Sequence, residues 1–213
     1  MKKQILVGID RDGTIIKDGG YFGIKDNWKE RIEIYHGFTE GLKLLKNNGL
    51  KAIVVSNQPG IARGYFDCRR VEEINKEIDR RLKAKGAVVD GWYYCPFVGK
   101  EYAIENNIPL TNPWVKKTGL RKPDIGMLIQ ACHDLKLNLD SSPVYFIGDH
   151  LSDVQAGLNA NGKSIFLLTG HGKRGEDKVK KMKKSYPGRI FIAGNFLSAA
   201  KIVLDDIILK YEN

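Results

Sequence analysis

The sequence predicts an α/β fold with a mostly parallel central sheet and helices on both faces. Three observations carry that expectation: short runs of Ile, Leu and Val of strand length, segments with a helical apolar period between them, and alternation of the two along the chain. With 213 residues, no internal repeat and no linker, the chain reads as a single domain over 1–213.

Gln4 to Ile9 is a short apolar run bounded by turn chemistry and reads as a buried strand. Residues 15–36, with Gly19, Gly20 and Gly23 among polar and aromatic neighbours, show no period and read as a mobile loop or short hairpin at the mouth of a site. Phe38 to Asn47 has helical spacing at Phe38, Leu42 and Leu45, with Gly49 as a natural stop. Lys51 to Ser56 is the second strand. Asp67 can cap a helix to about Lys85, with Val71, Ile74, Ile78 and Leu82 on its apolar face. Val89 to Tyr94 is a third strand, and residues 96–120 form a long, largely irregular connection of the kind that carries function. A helix from Asp124 to about Leu135 precedes the strand Val144 to Ile147, and Ser152 and Gln155 have capping-box spacing for the next helix. Ser164 to Leu168 is a fifth strand, Ile190 to Ala193 a sixth, and Phe196 to Leu209 a final amphipathic helix.

An apolar fraction of 42% and a charged fraction of 28% are those of a soluble globular protein, and no run approaches a membrane span. Met1-Lys2-Lys3 before ILVGI resembles the start of a signal peptide, but Asp10 interrupts the apolar region, so a cytoplasmic location is expected. Cys68, Cys95 and Cys132 are widely spaced without a C-x-x-C, which indicates neither a disulfide framework nor a standalone zinc site. The net charge of +10 favours anionic partners, phosphorylated metabolites or nucleic acid, or else reflects a Lys-rich solvated surface. Eight Lys or Arg between Lys173 and Arg189 face only Glu176 and Asp177, so part of that charge belongs to one peripheral segment, read as a basic solvated loop.

Asp10 falls at the carboxyl end of the first strand, where open α/β sheets place their ligands. Asp12 points the same way if the chain stays extended, and two such acids repel unless a cation or a shared proton compensates. An ordinary Asp-Gly turn explains the pair as well. A calcium loop does not, because its sixth and twelfth positions would be Ile15 and Tyr21. Ser56 ends the second strand and Asp149 the fourth, and the Arg121-Lys122-Pro123 turn can bring a cation to the same edge. Singly, Ser56 could be a helix cap, Lys122 a surface lysine and Asp149 a turn former. Their common position at strand ends is what points to a site. Carboxylates, phosphate oxygens and water make a hard-oxygen magnesium site, which would offset the repulsion and neutralise an incoming phosphate.

With DRDGT at 10–14, Ser56 after an apolar strand, Lys122, and GDHLSD at 148–153, the sequence resembles the haloacid dehalogenase (HAD) superfamily of aspartate-nucleophile phosphohydrolases, whose four motifs these are, in order. SNQPGIARG at 56–64, WYYCP at 92–96 and RKPDIGM at 121–127 are similar to the branch of the heptose bisphosphate and histidinol-phosphate phosphatases. The similarity runs from residue 4 to about 170. It implies a Rossmann-like HAD fold and Mg²⁺-dependent phosphomonoester hydrolysis. Asp10 would be the nucleophile and Asp12 the acid and then the base. Ser56, the backbone at Asn57, and Lys122 would hold phosphate oxygens. Asp10, Asp149 and the backbone carbonyl of Asp12 would bind the metal, with Asp153 supporting them from behind. Arg121 stands where the heptose enzymes contact their substrate's other phosphate, and Gln58, Arg63 and Tyr21 complete the candidates for substrate binding. The gaps between motifs leave no room for a separate cap domain, so enclosure would fall to the loops.

Two departures from the branch stand out. Its zinc cluster follows YYCP, but here only Cys95 remains, so no structural zinc is expected. The substrate-selecting 96–120 loop must then be held by packing, for which Tyr102, Ile108, Leu110 and Trp114 are the candidates. His150 stands where the branch often has Lys. Two other motifs are decoys: GLNANGKS at 157–164 spells a Walker A loop but runs from helix to strand, and GHGKRG at 170–175 has no Asp or Glu among residues 178–204 to hold a ribose, with too little chain left for a dinucleotide fold. The expected partner is a small phosphorylated metabolite, met by a monomer or small homo-oligomer away from any membrane. The alternatives are a phosphatase of nucleic-acid 3′-phosphate ends, suggested by the charge and by similar TNQ-GI-type and RKP-GM-type segments in polynucleotide kinase 3′-phosphatases, and a non-catalytic phosphate-binding protein.

Overall fold

The computed structural model describes residues 4–17 and 20–211. The Met1-Lys2-Lys3 reading and positions 18 and 19 of the glycine-bearing loop lie outside the described residues. Strands β1 (Leu6–Ile9), β2 (Lys51–Asn57), β3 (Gly91–Cys95), β4 (Val144–Gly148), β5 (Lys163–Leu167) and β6 (Ile190–Ala193) form one sheet in the order β3-β2-β1-β4-β5-β6, every neighbouring pair parallel. Between them run α1 (Phe38–Asn47), α2 (Cys68–Ala84), α3 (Lys100–Glu105), α4 (Gly126–Asp134), α5 (Leu151–Asn159), α6 (Gly172–Ser185) and α7 (Phe196–Tyr211).

Side-chain alternation along the strands divides the core in two. Val7, Ile9, Ala52, Val54, Tyr145 and Ile147 face the layer of α1, α2 and α7, where Phe38, Leu42, Ile74, Ile78, Phe196 and Val203 are buried. Leu6, Ile53, Val55, Val144 and Phe146 face α4 and α5 through Leu128, Cys132 and Ala156. Gly8 belongs to this second face, and a Cβ there would come within 2.9 Å of the Phe146 ring. Phe166 continues the same face under α6 with Val154, Val179 and Ile190.

Helix α1 covers the predicted span, and Asp67 caps α2 by accepting the Arg70 N–H at 2.9 Å. Elsewhere the structure corrects the sequence reading. The cap of α5 is His150 with Asp153, not Ser152 with Gln155: the Asp153 carboxylate takes the His150 N–H at 2.9 Å, and the His150 ring accepts from the Ser152 N–H. A charged acceptor at the positive end of a helix outcompetes a neutral glutamine. The 96–120 connection contains α3 and a bridge between Val98 and Val115. Ala62, Val98, Ala103 and Ile108 are buried there with Tyr102, Trp114 and Val115 against them, whereas Leu110, expected to pack, is exposed. The basic segment is mostly helix α6, whose inner face of Val179 and Met182 docks on the sheet while its lysines face outward.

The 15–36 loop is closed at its base by an antiparallel bridge between Ile16 and Ile34 and is pinned by buried Ile15, Phe22, Trp28 and Ile32. GLNANGKS does run from helix to strand: Ser164 is buried and donates to the Val154 carbonyl, and Lys163 pairs with Asp206. Among the described residues no helix is long and apolar enough to cross a membrane.

Candidate active site

The register of the sheet brings four chain segments to one edge. Ile9 is level with Val54 and Ile147, and the Asp10 N–H continues the ladder onto the Ile147 carbonyl at 2.9 Å. Successive strands step outward from β1 in one direction through β2 and β3 and in the other through β4, β5 and β6, so the chain switches direction between β1 and β4. Such a switch opens a crevice at the strands' carboxyl ends. A cleft of about 480 Å³ lies there, lined among others by Asp10, Asp12, Ser56, Gln58, Lys122 and Asp149.

Lys122 is the buried centre of the site. Its Nζ lies 2.5 Å from Asp10 Oδ1 and 2.7 Å from Asp153 Oδ1, and donates to the Val55 carbonyl at 2.7 Å. Asn57 fixes the Lys122 backbone at both ends, donating to its carbonyl and accepting its N–H, each at 3.0 Å. Asp10, Asp149 and Asp153 bring carboxylate oxygens within 4.8 Å of one another, and all three residues are buried. Burial pushes the Asp10 carboxyl well above the usual range, aided by Asp153, Asp149 and Asp12 and opposed by Lys122. Burial and Asp153 push Asp149 up to about 7, against the pull of the His171 N–H, which donates to Asp149 Oδ2 at 2.6 Å. Burial alone would lower the Lys122 pKa, but Asp10 and Asp153 outweigh it and raise it. Three carboxylates thus share one ammonium, and Asp153 Oδ1 is buried without an aligned hydrogen bond. That donor set, all hard oxygen and short of positive charge, fits a divalent cation such as Mg²⁺.

Asp12 is held apart from this cluster. Its carboxylate takes Arg11 Nε at 3.1 Å and Nη2 at 2.8 Å, and Gln58 Nε2 at 2.8 Å. Gln58 also donates to Ser56 Oγ at 2.8 Å, and Arg11, completely buried, anchors on Asn75 Oδ1 at 2.9 Å. One acid of the Asp10–Asp12 pair therefore faces the lysine and the other faces neutral and guanidinium donors.

Arg121 also lines the cleft. Among the described residues its guanidinium forms no ion pair, and its Nη1 is buried without a partner, so burial lowers its pKa. It stacks on Tyr102, 5.1 Å from the ring centroid. A desolvated, unpaired guanidinium is a receptor for an anion. Tyr21, a candidate for substrate binding, lines the cleft. Arg63 does not: it turns to Tyr102, Tyr65 and Asn106 instead. Lys178 to Lys184 are not among the residues lining the cleft, which weighs against a polyanion track into it.

Three contributors escaped the sequence reading. Arg11 lies inside the acid motif, yet its role depends on Asn75, 64 positions away. His171 enters through its backbone N–H and Thr169 through a 2.7 Å hydrogen bond to the Gly13 carbonyl. The last two follow β5, and the strand-end logic that found Asp10 and Asp149 would have pointed to them.

Known proteins resemble this chain in sequence and in fold. A family model described as HAD-hydrolase-like matches residues 119–190. The D-glycero-beta-D-manno-heptose-1,7-bisphosphate 7-phosphatase of Pasteurella multocida (strain Pm70) is 34% identical over 168 residues, 79% of this chain and 82% of that protein. The Escherichia coli (strain K12) protein of the same name is 35% identical over 172 residues, 80% of this chain and 83% of its own length. Among solved structures, a D,D-heptose 1,7-bisphosphate phosphatase from B. bronchiseptica, complexed with magnesium and phosphate, shares the fold with a TM-score of 0.71 over 95% of this chain and 99% of that one, at 23% identity.

Proposed function

Because this chain belongs to the HAD-like hydrolase family and is one of its phosphatases, we propose that it is a cytoplasmic, Mg²⁺-dependent 7-phosphatase of D-glycero-β-D-manno-heptose 1,7-bisphosphate. The observation that carries this reading is the presence, in one cleft, of the Asp10–Lys122 centre and the unpaired Arg121 guanidinium. The first suits a phosphate that reacts, the second a phosphate that is only bound, and a bisphosphate supplies both.

In the reaction, an Asp10 oxygen attacks phosphorus and the bond to the sugar oxygen breaks, leaving an aspartyl-phosphate. Asp12, oriented by Arg11 and Gln58, gives its proton to the departing oxygen. It then takes a proton from the water that attacks the aspartyl-phosphate, releasing inorganic phosphate and restoring Asp10. Lys122, Ser56 and the backbone at Asn57 hold the phosphate oxygens on which charge spreads. Asp10, Asp149 and the Asp12 carbonyl would hold the Mg²⁺, with Asp153 behind them. Bound there, the ion supplies positive charge that lets an anionic nucleophile meet an anionic phosphate.

A substrate screen tests the assignment: heptose and hexose bisphosphates, histidinol phosphate and 3′-phosphorylated oligonucleotides, each with Mg²⁺ and with EDTA. The heptose bisphosphate should give the highest kcat/KM, with phosphate leaving from C7 and all turnover lost reversibly in EDTA. Preference for histidinol phosphate or for an oligonucleotide would overturn the substrate, and full turnover in EDTA would overturn the metal.

A further inference from the structure

Away from the phosphate centre, unusual features concentrate around Tyr102. This residue belongs to α3 and does not itself line the cleft, yet two residues that do line it depend on it. The Arg121 guanidinium lies 5.1 Å from its ring centroid, and its hydroxyl is 3.3 Å from that of Tyr21. Arg63 ties the group together. Its Nε donates to the Tyr102 hydroxyl at 3.0 Å, its guanidinium lies 4.8 Å from the Tyr21 ring centroid, and Nη2 donates to Asn106 Oδ1. Asn106 in turn donates to the Tyr102 carbonyl at 2.7 Å. Tyr21 has a φ of 44°, a backbone conformation that a bulky residue keeps only when its surroundings impose it.

We propose that Tyr102 is a positioning residue for substrate selection. Its ring fixes the Arg121 guanidinium for a second anionic group, and its hydroxyl, through Arg63, holds Tyr21 across the cleft mouth. The proposal rests on the reading of Arg121 as the receptor for the phosphate that does not react. A free arginine samples many rotamers and loses that freedom when it grips an anion, whereas a stacked one has lost it beforehand, so the anion binds more tightly. Arg121 finds no carboxylate to orient it among the described residues, so the aromatic face is what sets its direction.

The test compares steady-state kinetics of wild type, Y102F and Y102L on the heptose bisphosphate and on p-nitrophenyl phosphate, which has no second phosphate. In Y102L the KM for the bisphosphate should rise roughly tenfold with kcat within about twofold, while both parameters for p-nitrophenyl phosphate stay put. Y102F, which keeps the ring, should recover most of the lost affinity. In an R121A background Y102L should cost no more than Y102F costs in the wild type, because only the hydroxyl's part of the effect is left. Equal losses on both substrates, or a full Y102L effect without Arg121, would overturn the proposal. If wild type shows no preference for bisphosphates, the substrate reading falls instead, and a crystal structure of Y102L decides the positioning role separately: a displaced Arg121 supports it, an unmoved Arg121 refutes it.

Discussion

Asp149 shows how single residues prepare this cleft. Gly13, at a φ of 87°, and Gly170, at 47°, both crowd its carboxylate, and a Cβ at either would fall 2.2 Å from Oδ2. Only backbone without side chains fits so close, and the carboxylate is left buried among like charges. Raised to about 7, it is one of the carboxyls proposed above to hold the Mg²⁺. A carboxyl raised in the folded protein keeps its proton at pH values where an ordinary one has lost it, so protons compete with the cation below about pH 7. Because the Asp10 carboxyl is raised as well, apparent Mg²⁺ affinity should climb by at least about tenfold per pH unit between roughly pH 5 and 7. Without metal the same group makes the protein more stable on acidification from pH 7, because the folded state binds the proton more tightly than the unfolded chain. Calorimetric Mg²⁺ titrations across this range check the first expectation, and a flat profile would contradict it.

Elements are held in place by a few charged contacts on the opposite side of the sheet. Asp90, just before β3, receives Lys46 from α1, the Ala52 N–H from β2 at 2.8 Å, and Lys51 at 3.3 Å. Burial would raise its pKa, but these donors lower it. A carboxylate so depressed contributes stability at neutral pH, and that contribution is lost as pH falls through its folded-state pKa. D90N should therefore melt about 2–4 °C lower at pH 7, corresponding to ~1 kcal/mol in a chain of this size, and the gap from wild type should close in acid. A gap independent of pH would show that charge is not what matters there. The same scale explains which elements were legible. Helix α2 could be read because Val71, Ile74, Ile78 and Leu82 keep their period over 17 residues behind an Asp cap. Helix α3 has six residues, too few for a period, and α6 hides a narrow stripe of Val179 and Met182 among lysines. The α5 cap was misplaced because Asp153 serves both the helix and Lys122, and spacing along the chain shows only local partners.

For the molecule as a whole, the order of strands creates the site. Asp10, Ser56 and Asp149 were legible because strand ends in a parallel sheet share an edge, a rule that needs no knowledge of packing, and Lys122, in the turn before α4, was legible from its motif. The Arg11–Asn75 and Tyr102–Arg121 contacts were not, since each joins side chains brought together only by the finished fold. Around this edge the proposed chemistry divides the two acids that open the chain: Asp10 against Lys122 as nucleophile, Asp12 between Arg11 and Gln58 as proton carrier. The most direct measurement of that division is acid quenching of the enzyme during turnover of the heptose bisphosphate, followed by mass spectrometry of its peptides. That division predicts a phosphoryl group on Asp10, released by hydroxylamine and absent from D10N, which should be inactive. Phosphate release with no adduct on Asp10, together with substantial activity in D10N, would contradict it.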